Sequence, residues 1–328
     1  MAVCSRRTGF FFALLLPVFL FLSLPPQAAE GMDSAISRYE AVRIPFYEED
    51  GTLAAAVRRF QRDGEERLLI LDPKRFAFRE MSATRLSALR RADEAAWRQT
   101  PFSAALARQT APPYPLQNDG LRRSELPVAG FFLTADLCPA KKPLDRGFLE
   151  ATAALPLTAP IPVALPVTGL WIEKHPEDLA WIEAQVAAQR LTITWVNHSY
   201  THFYDPDLPL EKNFLLRPHT DFRDEALRLE RLLLEKGLLP SPFFRFPGLV
   251  SDQGLIEQLR ELCLIPLGAD AWLAKGEAPR PGSVILVHGN GNEPEGIRLL
   301  LAFYESRQAS FARGETTLLP LRDAFLPQ

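Results

Sequence analysis

A chain of 328 residues with 47% hydrophobic and 23% charged side chains has enough apolar material to bury one large core or two. Its formal net charge of −3, with no long Lys/Arg block, gives no general attraction to nucleic acid or anionic lipid. These numbers leave a small molecule or a neutral polymer as the substrate class to look for.

The N-terminus departs from the average composition. Arg6 and Arg7 precede an apolar run from Phe10 to Leu24, followed by small residues at Ala28 and Ala29. This order describes a secretory signal peptide over residues 1–29 and predicts a periplasmic or secreted protein. An uncleaved anchor is the alternative, but the run is shorter than the roughly 20 residues a spanning helix needs. No membrane span is expected in the mature chain. Removal of the signal takes Cys4 with it and leaves Cys138 and Cys263, too few for a disulfide scaffold of this size.

Residues 30–117 read as an N-terminal α+β subdomain without visible chemistry. A strand is predicted at Arg67–Leu71 and a helix from Ser82 to about Trp97, before Ala111-Pro-Pro-Tyr-Pro breaks the periodicity. From 118 to 328 short apolar runs alternate with helical patterns. Strands are predicted at Val128–Thr134, Ile161–Val167, Leu191–Val196, Phe243–Phe246, Leu264–Gly268 and Val284–Val287. Helices are predicted over His175–Gln189 and Asp221–Lys236, the latter stopped by Gly237, and from Ser251 onward. Such alternation points to an α/β fold of parallel strands covered by helices, either an open sheet or a barrel.

Polar residues interrupt this pattern at one kind of place. Asp136, His198 with His202, Arg245, Asp270 and His288 all fall at or just after the C-terminal end of a predicted strand. In parallel α/β folds those ends share one face, and that face holds the active site. Within Asn197-His198-Ser199-Tyr200-Thr201-His202, two imidazoles four positions apart can grip one divalent ion; two loop histidines making ordinary hydrogen bonds is the plainer reading.

Five short motifs in order over residues 128–290 resemble the polysaccharide deacetylases, the NodB-homology or chitooligosaccharide deacetylase group. They are Thr134-Ala135-Asp136-Leu137-Cys138-Pro139, His198 to His202, Arg245-Phe246-Pro247, Asp270-Ala271-Trp272 and Leu286-Val287-His288. The resemblance implies a distorted (β/α) barrel and a metal-dependent hydrolase that removes acetyl groups from an N-acetylated polysaccharide or oligosaccharide. It implies a divalent metal, usually zinc, on His198 and His202. By position it makes Asp136 the general base, His288 the acid, Arg245 the residue that holds Asp136, and Asp270 the partner of that arginine. Leu286 and Trp272 are expected to shape the substrate pocket.

The first motif breaks the pattern, because Leu137 stands where the family has its metal-binding aspartate. Three outcomes follow. Asp136 itself binds the metal; a neighbour replaces the lost ligand, with Cys138 the first candidate and Asp205 and Asp207 behind it; or the protein is a non-catalytic glycan binder of the envelope on the same fold. Gly248 also stands where the family often has tyrosine. Rival enzyme classes lack their signatures: no Gly-x-Ser-x-Gly elbow occurs, and no Gly-x-Gly-x-x-Gly follows the first strand. His175 and His219 are read as structural, and Gly289-Asn-Gly-Asn as a turn.

Overall fold

The protein is described by a computed structural model that, apart from Met1, covers residues 35–326. The expected signal peptide lies outside the described residues. Among the described residues no helix is long and apolar enough to cross a membrane. The described residues 35–326 belong to one compact unit.

Four antiparallel strands open the described chain: β1 (Ile36–Tyr47), β2 (Leu53–Arg62), β3 (Glu65–Asp72) and β4 (Ala77–Ser82), paired in that order. The β2–β3 hairpin turns on Asp63 and Gly64, both at positive φ, which is the two-residue turn that suits the strand twist. Because side chains alternate across a strand, β2 buries both its faces. Ala55, Val57 and Phe60 join an apolar cluster shared with Phe243 and Leu255, whereas Ala54 and Ala56 meet Phe46, Ile70 and Met81.

The single helix expected over Ser82–Trp97 is two, α1 (Ala83–Ser87) and α2 (Glu94–Arg98), followed by α3 (Pro101–Gln109). The chain between them leaves the helical path to pair with β1, Tyr47 N–H donating to the Arg90 carbonyl and Ala92 N–H to Pro45. Asp93 then caps the second helix through the Ala96 N–H.

The remainder forms the expected (β/α) sheet: β5 (Gly130–Asp136), α4 (Arg146–Ala153), β6 (Ile161–Val167), α5 (Gly169–Lys174), α6 (Pro176–Ala187), β7 (Leu191–Asn197), α7 (Phe222–Glu235), β8 (Pro240–Phe244), α8 (Gln253–Glu261), β9 (Ile265–Pro266), β10 (Ala271–Trp272), β11 (Val284–His288), α9 (Pro294–Ala312) and β12 (Thr317–Leu318). The strands run parallel in the order β10-β11-β5-β6-β7-β8-β9, with β12 beside β5. The segment 117–124 bridges the two ends of this curl. Leu121 N–H donates to the carbonyl of Pro266, in β9, and Val284 N–H, in β11, donates to the carbonyl of Arg122. The result is a distorted barrel closed by a non-helical connector.

Strand parity then sorts the side chains. Phe131, Leu133, Ala135 and Leu137 of the β5 row lie in the apolar layer with Phe148 and Trp171, while Phe132 joins the other cluster and Asp136 lines a cleft. On β11, Ile285 and Val287 join the outer layer, and Leu286 and His288 face the cleft.

Candidate active site

One cleft of about 560 Å³ gathers Asp136, Cys138, His198, His202, Trp272, Leu286 and His288. Asp136 and His288 are direct register partners on β5 and β11, so two reactive groups stand side by side at the strand ends. Arg245, fully buried just past β8, donates from Nη1 to Asp136 Oδ1 at 3.1 Å and from Nη2 to the Gly268 carbonyl at 3.1 Å. That leaves Asp136 Oδ2, which lies 3.7 Å from His198 Nε2.

The backbone fixes the tautomer of His198. Its Nδ1 is 2.7 Å from the Arg245 carbonyl, which can only accept, so Nδ1 carries the proton and Nε2 presents a lone pair. Burial pushes the pKa of this ring down to about 4, despite the Asp136 carboxylate, which keeps it neutral at pH 7. Nε2 lies 3.6 Å from Cys138 Sγ. The donor atoms of Cys138, His198 and His202 all lie within 4.8 Å of one another, and the His198 and His202 rings meet edge to face at 4.7 Å.

The turn that carries the two imidazoles is clamped from α7. The Glu225 carboxylate accepts from the Tyr200 and Thr201 N–H groups, each at 2.8 Å, and from Thr201 Oγ1 at 2.7 Å. Ser199 and His202 take positive φ in this turn, a strained path that these bonds support. Glu225 was not singled out from the sequence. Its place beside Phe222, Ala226 and Leu229 on the buried face of an amphipathic helix was the available signal.

A second carboxylate missed by the sequence reading is Glu293. Its Oε2 accepts from His288 Nδ1 at 2.7 Å and from Trp272 Nε1 at 2.8 Å. Burial alone lowers the pKa of His288, but Cys138 and Glu293 raise it and prevail, holding it well above its usual 6.5. Burial likewise pushes the Cys138 thiol up, yet His202 and then His288 bring it down to about 7.

The expected partnership of Asp270 with Arg245 does not form. Arg123, from the connector that closes the barrel, donates to Asp270 Oδ2 at 2.9 Å, with Arg280 at 3.9 Å. Asp270 is therefore drawn to the barrel rim, and it does not line the cleft. Asp205 caps its own loop through Asp207 N–H, outside the donor group. Cys138 and Cys263 are both free and buried. His175 is held by the Ala140 carbonyl and stacks on Trp171, in keeping with a structural role.

Tyr204, 58% exposed, stacks on Phe214 at 5.2 Å along the cleft wall. Gly248, at φ +61°, permits this wall, since a Cβ there would fall 2.4 Å from the Phe214 ring.

No protein-family model matches the chain. Among solved structures it is similar to a family 4 carbohydrate esterase from Bacillus anthracis, 16% identical over 68% of this chain and 90% of that one, with a TM-score of 0.45. It is also similar to Bacillus subtilis PdaA, a family 4 carbohydrate esterase, 15% identical over 67% and 87% of the two chains with a TM-score of 0.45. A third is BA3943, a CE4 family pseudoenzyme from Bacillus anthracis, 13% identical over 63% and 68% with a TM-score of 0.43. These likenesses are partial overlaps in shape, and the chemistry of the cleft is read from its own side chains.

Proposed function

We propose that the protein is a metal-dependent hydrolase that removes acetyl groups, N-linked or O-linked, from an extracytoplasmic polysaccharide or oligosaccharide. The observation that carries this reading is the convergence, in one cleft, of a carboxylate and an imidazole on adjacent strand ends with a second pair of imidazoles and a thiol. His198 and His202 would hold the ion, with the Cys138 thiol in the same close donor group and Asp136 Oδ2 3.7 Å from His198 Nε2, and this donor chemistry suits zinc. A divalent ion there supplies Lewis acidity, polarising the acetamide carbonyl and easing deprotonation of the attacking water.

The chain's own residues then divide the proton transfers. Asp136, held at Oδ1 by Arg245, offers Oδ2 to take a proton from water. His288, protonated near neutrality and anchored at Nδ1 by Glu293, offers Nε2 to the leaving nitrogen. Leu286, Leu249 and Phe214 provide an apolar lining for the acetyl methyl group, and exposed Tyr204 offers a flat face to a sugar ring.

One observation favours a second reading, a non-catalytic glycan binder: Leu137 is fully buried in the apolar layer and offers no donor at the family's ligand position. Acetate release separates the two. Zinc-loaded protein is expected to release acetate from N-acetylated chitooligosaccharides or peptidoglycan fragments, and Asp136→Asn and His288→Ala to lower the rate by about 10²–10⁴-fold. Wild-type protein that binds these glycans without releasing acetate would establish the binder instead.

A further inference from the structure

We infer that Cys138 is the third protein ligand of the metal centre, so that the ion is held by one thiolate and two imidazoles and Asp136 stays free as the base. The inference rests on the metal-dependent reading above and specifies the site.

Strand parity makes the first argument. Leu137 N–H donates to the Pro166 carbonyl at 2.8 Å, and its own carbonyl accepts from Thr168 Oγ1 at 3.1 Å. These bonds extend the β5 pairing one residue beyond Asp136, and Leu137 pairs with Val167. The side chain therefore points outward, so close to Gly289 that a Cβ there would lie 3.0 Å from Leu137 Cδ2. A carboxylate at 137 on this backbone would enter the apolar layer beside Phe148. The next inward position is 138, and there the chain has a thiol. Asn290 Nδ2 pins the Cys138 carbonyl at 2.5 Å, fixing the backbone that aims it.

Distance makes the second. With Zn–S near 2.3 Å and Zn–N near 2.0–2.1 Å, a tetrahedral centre needs sulfur and nitrogen roughly 3.6 Å apart. Cys138 Sγ and His198 Nε2 stand 3.6 Å apart, and Nε2 is the nitrogen whose lone pair the Arg245 carbonyl leaves free. Asp136 does not join the mutually close donor group and already spends one oxygen on Arg245. A carboxylate so held can remove a proton from water without giving up its place as a ligand.

Cobalt(II) tests the assignment through a spectrum, independently of activity. The full chain carrying Cys4→Ala and Cys263→Ala retains Cys138 as its one thiol. Titrated with cobalt(II) alone, it is expected to bind one ion and develop a near-ultraviolet thiolate-to-cobalt charge-transfer band. Cys138→Ser and Cys138→Ala in the same background should lose the band and weaken binding beyond the roughly 100-fold typical of outer-shell changes. Leu137→Asp should lower the melting temperature without tightening cobalt binding. One tightly bound cobalt with no charge-transfer band would overturn the assignment; if Asp136→Asn then abolished that binding, the aspartate would be the ligand and the deacetylase reading would stand. No cobalt bound by the unmutated chain would overturn both. The spectrum of the protein with Cys138 intact decides the matter even if a Cys138 variant fails to fold.

Discussion

His288 shares Glu293 Oε2 with Trp272, so after Cys138 it is a turn residue beyond the strand that raises its pKa. An acid must be protonated to act, so kcat/KM should fall as pH rises through the His288 pKa. Glu293→Gln removes the nearby negative charge and is expected to move that basic limb to lower pH, leaving the acidic limb in place. A pH–rate profile checks this, and an unmoved basic limb would show that Glu293 only packs. The strand-end residues Asp136, His198, Arg245 and His288 were legible because each interrupts an apolar strand run. Glu225 and Glu293 were not, because carboxylates in helices and turns usually face water. The role of Asp270 was misread for a related reason: sequence shows that a carboxylate ends near the barrel rim, but not which guanidinium arrives there, and Arg123 comes from a connector without periodicity. Cys138 stood first among the candidates for the lost ligand through its nearness to Asp136 and its thiolate chemistry, and the cleft that it lines with His198 and His202 adds its inward direction.

Helix α7 links the N-terminal sheet to the site. It clamps the histidine turn through Glu225, and one turn further on its fully buried Glu230 binds Arg58 of β2 at 2.6 and 2.9 Å, with Tyr39 Oη at 2.9 Å. Arg58→Met would leave Glu230 buried beside Tyr39 without its cation, and is expected to cost about 3–5 kcal/mol in denaturant unfolding. Arg58→Met with Glu230→Leu should recover most of that loss. A single variant as stable as the wild type would mean that water reaches the pair. Parallel strands were located well because apolar β-branched and aromatic runs bounded by turns persist through β5, β6, β7 and β11. The antiparallel hairpins were largely missed, although Asp63-Gly64 is a turn signal, because β2 is buried on both faces and lacks simple alternation. Helix α9 was missed too: Ile297, Leu300, Tyr304 and Phe311 mark its inner face, but Leu299, Leu301 and Phe303 blur it.

Across the whole molecule, the sheet and the barrel share an apolar cluster, and the connector at 117–124 that followed the predicted boundary is the piece that closes the barrel. A proline-rich break in periodicity therefore reads locally as a linker, while its hydrogen bonds to β9 and β11 depend on chain partners about 150 residues away. Sequence placed the reactive groups on one rim because parallel topology forces strand ends together. It could not decide between a rim that holds a metal ion on Cys138, His198 and His202 and one that holds none. Acetate release measured after exhaustive chelation and again after return of one equivalent of zinc tests this choice most directly. Activity should vanish on chelation and return with the ion in wild type, and fail to return in His198→Ala. Acetate release that persists in metal-free protein would contradict a metal-dependent hydrolase.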